Sequence, residues 1–190
     1  MKQKGLTLVE LLISSSIAVV VGGLLLTIIL NSAGLFYKES SKVDIGLNTN
    51  DGLAQVRKSI KESNKVIPTF TDGSVIYTSG VSQLVLQIPS IDQSGNIIPA
   101  TFDNFVFFLD QTKLLFKTFP NALSSRKAQN QIFSTNVQSL VFQYLNSASP
   151  PVEVTPISAT KVRTTLTLKE KSGADYETNI ATSEANLRNN

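Results

Sequence analysis

The chain has 190 residues, a net charge of +3 and a mean hydropathy of +0.09, and it contains neither Cys nor His. The lack of these two residue types excludes disulfides, Ser-His-Asp and Cys-His catalysis, and zinc sites built from His or Cys. The remaining residues form no recognisable catalytic pattern, so we predict a protein that is not an enzyme and that needs no cofactor or metal.

A short basic segment, Met1-Lys2-Gln3-Lys4-Gly5, opens the sequence. We predict that residues 1–5 are a leader that is cut after Gly5, which would create a new ammonium group at Leu6. Loss of Lys2 and Lys4 with the leader would lower the net charge from +3 to +1. A conventional secretory signal is disfavoured, because the apolar stretch that follows is too long and no small-x-small cleavage site lies beyond it.

The next segment, residues 6–30, is predicted to be a transmembrane helix. Leu11 to Leu30 carries no charge, and roughly 20 apolar residues are enough to span the hydrocarbon core. Glu10 lies at the edge of this span, where an ionisable side chain indicates a function and needs a cationic partner. Basic residues before the span and mixed charges after it predict a cytoplasmic N-terminus and an exported C-terminal domain.

The run Gly5-Leu6-Thr7-Leu8-Val9-Glu10 resembles the processing site of prepilins, the precursors of type IV pilins and of type II secretion pseudopilins. In that family a membrane peptidase cuts after the Gly and methylates the new amine with S-adenosylmethionine. The Glu then pairs with the terminal amine of a neighbouring subunit. The resemblance implies cleavage at Gly5, methylation at Leu6 and an assembly role for Glu10.

Two features depart from that family. Leu6 occupies a position that is usually Phe, and the span lacks the Pro that many major pilins carry. Gly22 and Gly23 offer another soft point, because each Gly is about 1 kcal/mol less favourable than Ala inside a helix.

Four residues in the span recur at every fourth position: Glu10, Ser14, Ala18 and Gly22. This spacing places them on one helix face, and small side chains allow membrane helices to approach closely. We predict that this face contacts other subunits. The alternative is that Ser and Gly are scattered through the span without a common role.

Residues 31–65 are predicted to continue the same helix outside the membrane. Ile45, Leu53, Val56 and Ile60 fall on one stripe, as in a helix with one buried face. The first Pro after this segment is Pro68.

A basic row, Arg57, Lys58, Lys61 and Lys65, lies near the end of this segment. A solvated face explains it better than nucleic-acid contact, since no aromatic residues that would stack on bases lie between the charges. We therefore do not expect nucleic acid to be a partner, although contact through these four residues stays open.

Residues 66–190 show the pattern of a β-rich domain. The predicted strands are Val75–Tyr77, Leu84–Ile88, Phe105–Leu109, Leu114–Phe119, Val137–Leu145, Val162–Leu168 and Tyr176–Ile180. Turns are predicted at Thr71-Asp72-Gly73, Asp92 to Asn96 and Ser172 to Asp175, with a loop from Asn146 to Pro156. The wholly apolar run Phe105–Leu109 suits a central strand that is covered on both faces.

Four carboxylates could be read as calcium ligands, but they match no calcium-loop pattern. They are Asp72, Asp92, Asp103 and Asp110. We predict that they stabilise turns and loops. Asp175 and Glu177 are predicted to be solvated.

The order of a long N-terminal helix and then an antiparallel sheet predicts an α+β fold, and it is similar to that of pilins. Within that family the C-terminal half resembles J-type pseudopilins and large minor pilins, through Leu140-x-Phe142-x-Tyr144 and Val162-Arg163-x-Thr165-Leu166. The resemblance implies a subunit of a type IV pilus or type II secretion pseudopilus, in a tip or initiation complex.

The implied partners are a prepilin peptidase, other pilins or pseudopilins, and the membrane. The implied location is the cytoplasmic (inner) membrane, followed by a surface or periplasmic filament. Two alternatives stay open: a competence-type pilin that contacts DNA, and an unprocessed, membrane-anchored binding domain.

Overall fold

The computed structural model describes residues 7–172 and 175–188. Gly5 and Leu6 lie outside this range. The elements are α1 Leu8–Glu62, β1 Lys65–Val66, β2 Thr69–Asp72, β3 Val75–Thr78, β4 Gln83–Ile91, β5 Ile97–Asp110, β6 Lys113–Phe119, β7 Gln129–Ser134, β8 Val137–Leu145, a 3-10 turn Pro156–Ser158, β9 Lys161–Ser172 and β10 Asp175–Asn186.

One unbroken helix, α1, holds both the apolar span and the following polar segment. Its 55 residues correspond to a rod about 80 Å long at 1.5 Å per residue. The helix packs on antiparallel sheets, which confirms the predicted α+β fold with a long N-terminal helix.

The helix ends at Glu62, within the segment 31–65 that was predicted to continue it. Ser63 leaves helical geometry, with φ −85° and ψ 144°, and its hydroxyl donates to the carbonyl of Ile60. The amide of Asn64 then donates to Gln87 of β4. Pairing with the sheet therefore replaces the last helical turn, and Lys65 lies in β1 instead of on the helix.

Within the described residues the strands form two larger sheets and one hairpin. The five-stranded sheet has the order β1-β4-β5-β6-β7, the three-stranded sheet has the order β10-β9-β8, and β2 pairs with β3. All seven predicted strands are present, several with longer bounds. The additional strands are β1, β2 and β7. Thr71 and Asp72 belong to β2, so the predicted turn there is confined to Gly73 and Ser74.

The central strand prediction for Phe105–Leu109 is confirmed. β5 lies between β4 and β6, and it is covered on both faces. Phe105 and Phe107 face the main core that α1 completes. Val106 faces a second cluster that includes Phe70 of β2 and Tyr77 of β3.

The C-terminal half of α1 packs on the main core through a narrow stripe of residues. Leu53, Val56 and Ile60 are buried as predicted, and Thr49 is buried on the same face. Gly52 lies so close to the sheets that a Cβ there would be 3.4 Å from Leu166 Cδ2. The side chain of Ile45, the fourth predicted stripe residue, lies outside the described part of the chain.

The hairpin of β9 and β10 runs beside the helix. At one end, Asp175 lies 3.6 Å from the ammonium of Lys38. At the other end, the amide of Arg188 donates to the carbonyl of Ser63. Since Lys38 is eight residues after Leu30, or about 12 Å along the helix, the sheet domain begins close to the end of the predicted span.

Asp103 corrects one sequence prediction, because it lies inside β5 rather than in a turn or loop, and its side chain is fully buried. Its oxygens accept hydrogen bonds from the Ser90 hydroxyl, the Asn121 amide and the Ser124 hydroxyl, each at 2.8 Å. Arg126 Nη1 pairs with it at 2.7 Å. This carboxylate fixes the segment between β6 and β7 against the sheet.

Burial alone would raise the pKa of Asp103, but the donors from Asn121, Arg126, Ser90 and Ser124 outweigh it and lower the pKa below its usual range. A carboxyl whose pKa is lowered by folding stabilises the protein above the unfolded pKa of about 3.9, and this contribution is lost as the pH falls through the folded value.

Replacing Asp103 by Asn should therefore lower the free energy of unfolding at pH 7 by about 3 kcal/mol, because Arg126 loses a buried partner. The difference from wild type should shrink as the pH falls from about 4 towards 2. Denaturant unfolding of the full chain in detergent measures both values, with the exposed Asp72→Asn as a control. A difference that stays constant over this pH range would contradict the assignment.

Candidate functional site

The N-terminal half of α1 is an apolar surface that the rest of the described chain leaves uncovered. Among the described residues one helix, α1, is long and apolar enough to cross a membrane, with a mean hydropathy of 2.4 over an 18-residue window. None of that window is buried, and the large side chains from Leu8 to Leu30 are exposed. This surface needs either lipid or other protein helices around it.

Thr7 and Glu10 form a capping box at the start of the helix. The Thr7 hydroxyl accepts from the amide of Glu10 at 3.3 Å. In return, Glu10 Oε2 accepts from the Thr7 amide and the Thr7 hydroxyl, both at 2.9 Å. Two backbone donors that a helix start leaves unpaired are thereby satisfied. The pattern Thr-x-x-Glu was visible in the sequence, but its capping role was missed.

The capping box engages one carboxylate oxygen of Glu10 and leaves the other available. Among residues 7–172 and 175–188, no hydrogen bond to Oε1 and no ion pair of Glu10 is found. Glu10 can therefore cap its own helix and accept a cation from outside at the same time. The predicted cleavage and methylation positions, Gly5 and Leu6, lie outside the described residues and stay predictions.

The hydroxyl groups of the span bond to their own helix. Ser14 Oγ donates to the carbonyl of Glu10 at 2.7 Å, Ser16 to Leu12 at 2.8 Å, and Thr27 to Gly23 at 2.7 Å. Such bonds remove unpaired donors from a surface that lipid is expected to cover. Glu10 thus remains the strongly polar feature of the span.

The row Glu10, Ser14, Ala18 and Gly22 lies on a regular stretch of helix and is exposed throughout. Each step of four residues rises about 6 Å, so the row is a ridge about 18 Å long that winds slowly around the helix. A Cβ at Gly22 or Gly23 would have no neighbour within 4 Å. The helix is continuous through both glycines in this single chain.

The predicted basic row is divided by the fold. Arg57, Lys58 and Lys61 are exposed on α1, whereas Lys65 lies in β1. The three helix cations line a groove of ≈ 710 Å³ between α1 and residues 181–183 of β10. Within the described residues none of these three forms an ion pair.

The carboxylates considered for calcium lie apart from one another. The described residues hold no group of three or more Asp, Glu, His or Cys side chains suited to a metal ion. Asp92 stabilises its turn, as predicted, by accepting from the amides of Ser94 and Asn96 at 2.8 Å.

Burial raises the pKa of Tyr144, whose hydroxyl donates to the carbonyl of Gly80 at 2.9 Å.

Neither the models of protein families nor the curated proteins match this chain. An assignment of function therefore depends on the uncovered helix, on Glu10 and on the surfaces described above.

If the row Glu10, Ser14, Ala18 and Gly22 is a contact between subunits, the same substitution at two adjacent glycines should affect self-association differently. Gly22→Leu adds a bulky side chain to the face, whereas Gly23→Leu adds the same side chain about 100° around the helix. Self-association of the full chain in lipid vesicles, measured by energy transfer between labelled copies, should weaken about fivefold or more for Gly22→Leu, because the backbones are held apart. Gly23→Leu should change it little. Equal effects of the two substitutions would contradict a contact through this face.

Proposed function

We propose that this protein is a structural subunit of a pilin-like filament, either a minor pilin or a type II secretion pseudopilin. The observation that carries the proposal is an uncovered apolar helix with Glu10 in its first turn, where one carboxylate oxygen of Glu10 has no partner in the described chain. A simple membrane anchor needs the apolar residues but not the acid. The work of such a subunit is assembly rather than catalysis.

In the proposed pathway, a prepilin peptidase cuts the chain after Gly5 and methylates Leu6. Before assembly, lipid covers the span, with the N-terminus on the cytoplasmic side and the sheet domain exported. During assembly, the spans of neighbouring subunits replace the lipid. The row Glu10, Ser14, Ala18 and Gly22 is the proposed contact, since its small side chains permit close packing.

In this scheme Glu10 determines the axial position of each subunit relative to its neighbour. The terminal ammonium of a neighbouring subunit would bind the free oxygen of its carboxylate. The attraction between opposite charges is larger at low dielectric than in water. A subunit docked in the wrong register would bury the Glu10 carboxylate without a cation, which is costly within a membrane. Charge pairing therefore favours one axial position.

The geometry also supports a mechanical role. α1 is continuous from the span into the sheet domain, and the Lys38–Asp175 pair joins the β9–β10 hairpin to the helix near the membrane end of the domain. An axial displacement of the span is thus transmitted to the domain through one rod. The β-rich domain and the resemblance of its strands to J-type pseudopilins support a place at the filament tip or in its initiation complex.

Two substitutions distinguish the role of Glu10 in capping its own helix from the role of its negative charge in assembly. Glu10→Gln keeps a residue that serves in a capping box but removes the charge. Thr7→Ala keeps the charge and weakens the cap by about 1 kcal/mol. If assembly depends on pairing with an ammonium, Glu10→Gln should lower the amount in the filament fraction by at least about tenfold. Thr7→Ala should lower it much less.

The filament fraction is sheared or detached from cells and is quantified by immunoblot against the amount in the membrane fraction. Equal membrane amounts for the three proteins are the control for expression and insertion. Wild-type incorporation of Glu10→Gln would rule out the charge as the assembly determinant.

A further inference from the structure

In the part of the chain that the structure describes, one edge of β10 in the three-stranded sheet has no strand beside it. β10 spans Asp175–Asn186, pairs with β9 on one side, and ends the strand order β10-β9-β8. Strands at sheet edges present unpaired backbone groups that invite another strand, and most proteins keep such edges short or cover them. At 12 residues this edge is about twice the usual strand length.

The pairing register shows which backbone groups are free. The amide of Lys169 donates to Asn136, on the β8 side of β9. Its partner across the hairpin, Thr178, therefore directs its own amide and carbonyl away from β9. The direction of the backbone groups alternates from residue to residue along an antiparallel strand. The amides and carbonyls of Ile180, Thr182 and Glu184 therefore also point away from β9.

Cations that form no ion pair with any described residue flank this edge. Arg57 and Lys61 line the groove between α1 and Ala181–Ser183, together with Lys58. The one carboxylate that lines the same groove belongs to Glu62. Glu184 on β10 is already paired, with Lys161 at 3.7 Å and with Arg163. The groove therefore has an excess of positive charge beside a row of free backbone donors and acceptors.

The spacing of the cations fits an added strand. Arg57 and Lys61 are one i,i+4 step apart, which is about 6 Å along the helix. Alternate residues of a strand point to the same face and are about 6.8 Å apart. β10 runs beside α1, since a Cβ added at Gly46 would lie 3.8 Å from Asn179 Nδ2 and Lys61 lines a groove with Asn186. Two carboxylates at alternate positions of an added strand would therefore face Arg57 and Lys61.

A second copy of the chain is a poor occupant of this edge. Antiparallel pairing of two β10 strands would point the two α1 helices in opposite directions, which one membrane cannot accommodate. Parallel pairing would require a half-turn about the strand direction, which places the two α1 helices on opposite faces of the joined sheet. Arg57 and Lys61 of each copy would then lie on the face of the other copy that carries Thr178, Ile180 and Thr182, where the one carboxylate, that of Glu184, is already paired.

We propose that the free edge of β10 and the adjoining cations of α1 form a strand-addition site for an acidic, extended segment of another protein. Backbone hydrogen bonds to β10 supply affinity, and alternate carboxylates that face Arg57 and Lys61 supply selectivity. This site goes beyond the proposed filament function and does not require Glu10 or the cut at Gly5.

The test uses the full chain in nanodiscs of phosphatidylcholine, a lipid without net charge. The probe is a fluorescent seven-residue peptide of Val and Thr with Glu at two alternate positions. It should bind saturably, as measured by anisotropy, and Arg57→Gln with Lys61→Gln should weaken it by about five- to tenfold. Lys65→Gln with Lys113→Gln removes the same two charges from exposed positions outside the groove and should change binding less than twofold.

Two further measurements separate strand addition from simple charge attraction. N-methylation of the peptide amides that face β10 should abolish binding, because it leaves the charges and removes the backbone donors. Hydrogen exchange should slow on binding at the amides of Thr178, Ile180, Thr182 and Glu184, while the intervening amides change little.

Unchanged binding of the N-methylated peptide would overturn the proposal. Slower hydrogen exchange at all amides of β10, rather than at every second one, would also overturn it. Tighter binding of a single-stranded oligonucleotide of equal charge would assign the groove to nucleic acid instead. Concentration-dependent dimers with the same exchange pattern would assign it to a second copy.

Discussion

The structure depends on one helix that has two different environments along its length. From Thr49 onward, α1 buries a stripe of small and apolar residues against both larger sheets. From Leu8 to Leu30 it exposes apolar side chains on every face. The helix is stable in water only along the part that the sheets cover. The remainder needs a nonpolar surrounding, which either lipid or the apolar helices of other proteins can supply.

The attachment of the sheet domain to the helix follows from the same constraint. Gly52 allows α1 to approach the sheets, and the β9–β10 hairpin follows the helix from Ser63 back to Lys38. The domain is therefore fixed in rotation relative to the span. If the Glu10 face of the span selects a neighbour, it also determines which side of the sheet domain that neighbour meets.

Sequence reasoning succeeded where the pattern was strong. Alternation in Val162–Leu168 and the apolar run Phe105–Leu109 identified strands whose burial the structure confirms. It failed where the local composition does not favour the secondary structure that the segment adopts. β7, with the sequence Gln-Asn-Gln-Ile-Phe-Ser, has few residues that favour strands, and pairing with β6 stabilises it.

Other misses concern residues whose role is set by distant partners. Asp103 resembled a loop carboxylate, because its neighbours in sequence do not reveal Arg126 beside it in the fold. The helix end at Glu62 depends on Asn64 meeting Gln87, which helix propensity does not report. The Thr7–Glu10 cap, by contrast, is a local signal of four residues. The free edge of β10 follows only from the strand order.

The central claim is that the span belongs to a processed subunit whose new N-terminus meets Glu10. Intact-mass and N-terminal peptide mass spectrometry of the protein, purified from membranes of cells with an active prepilin peptidase, tests this claim most directly. The account predicts a chain that begins at Leu6 and carries one methyl group on its terminal amine. A chain in the same membranes that still begins at Met1 would contradict it.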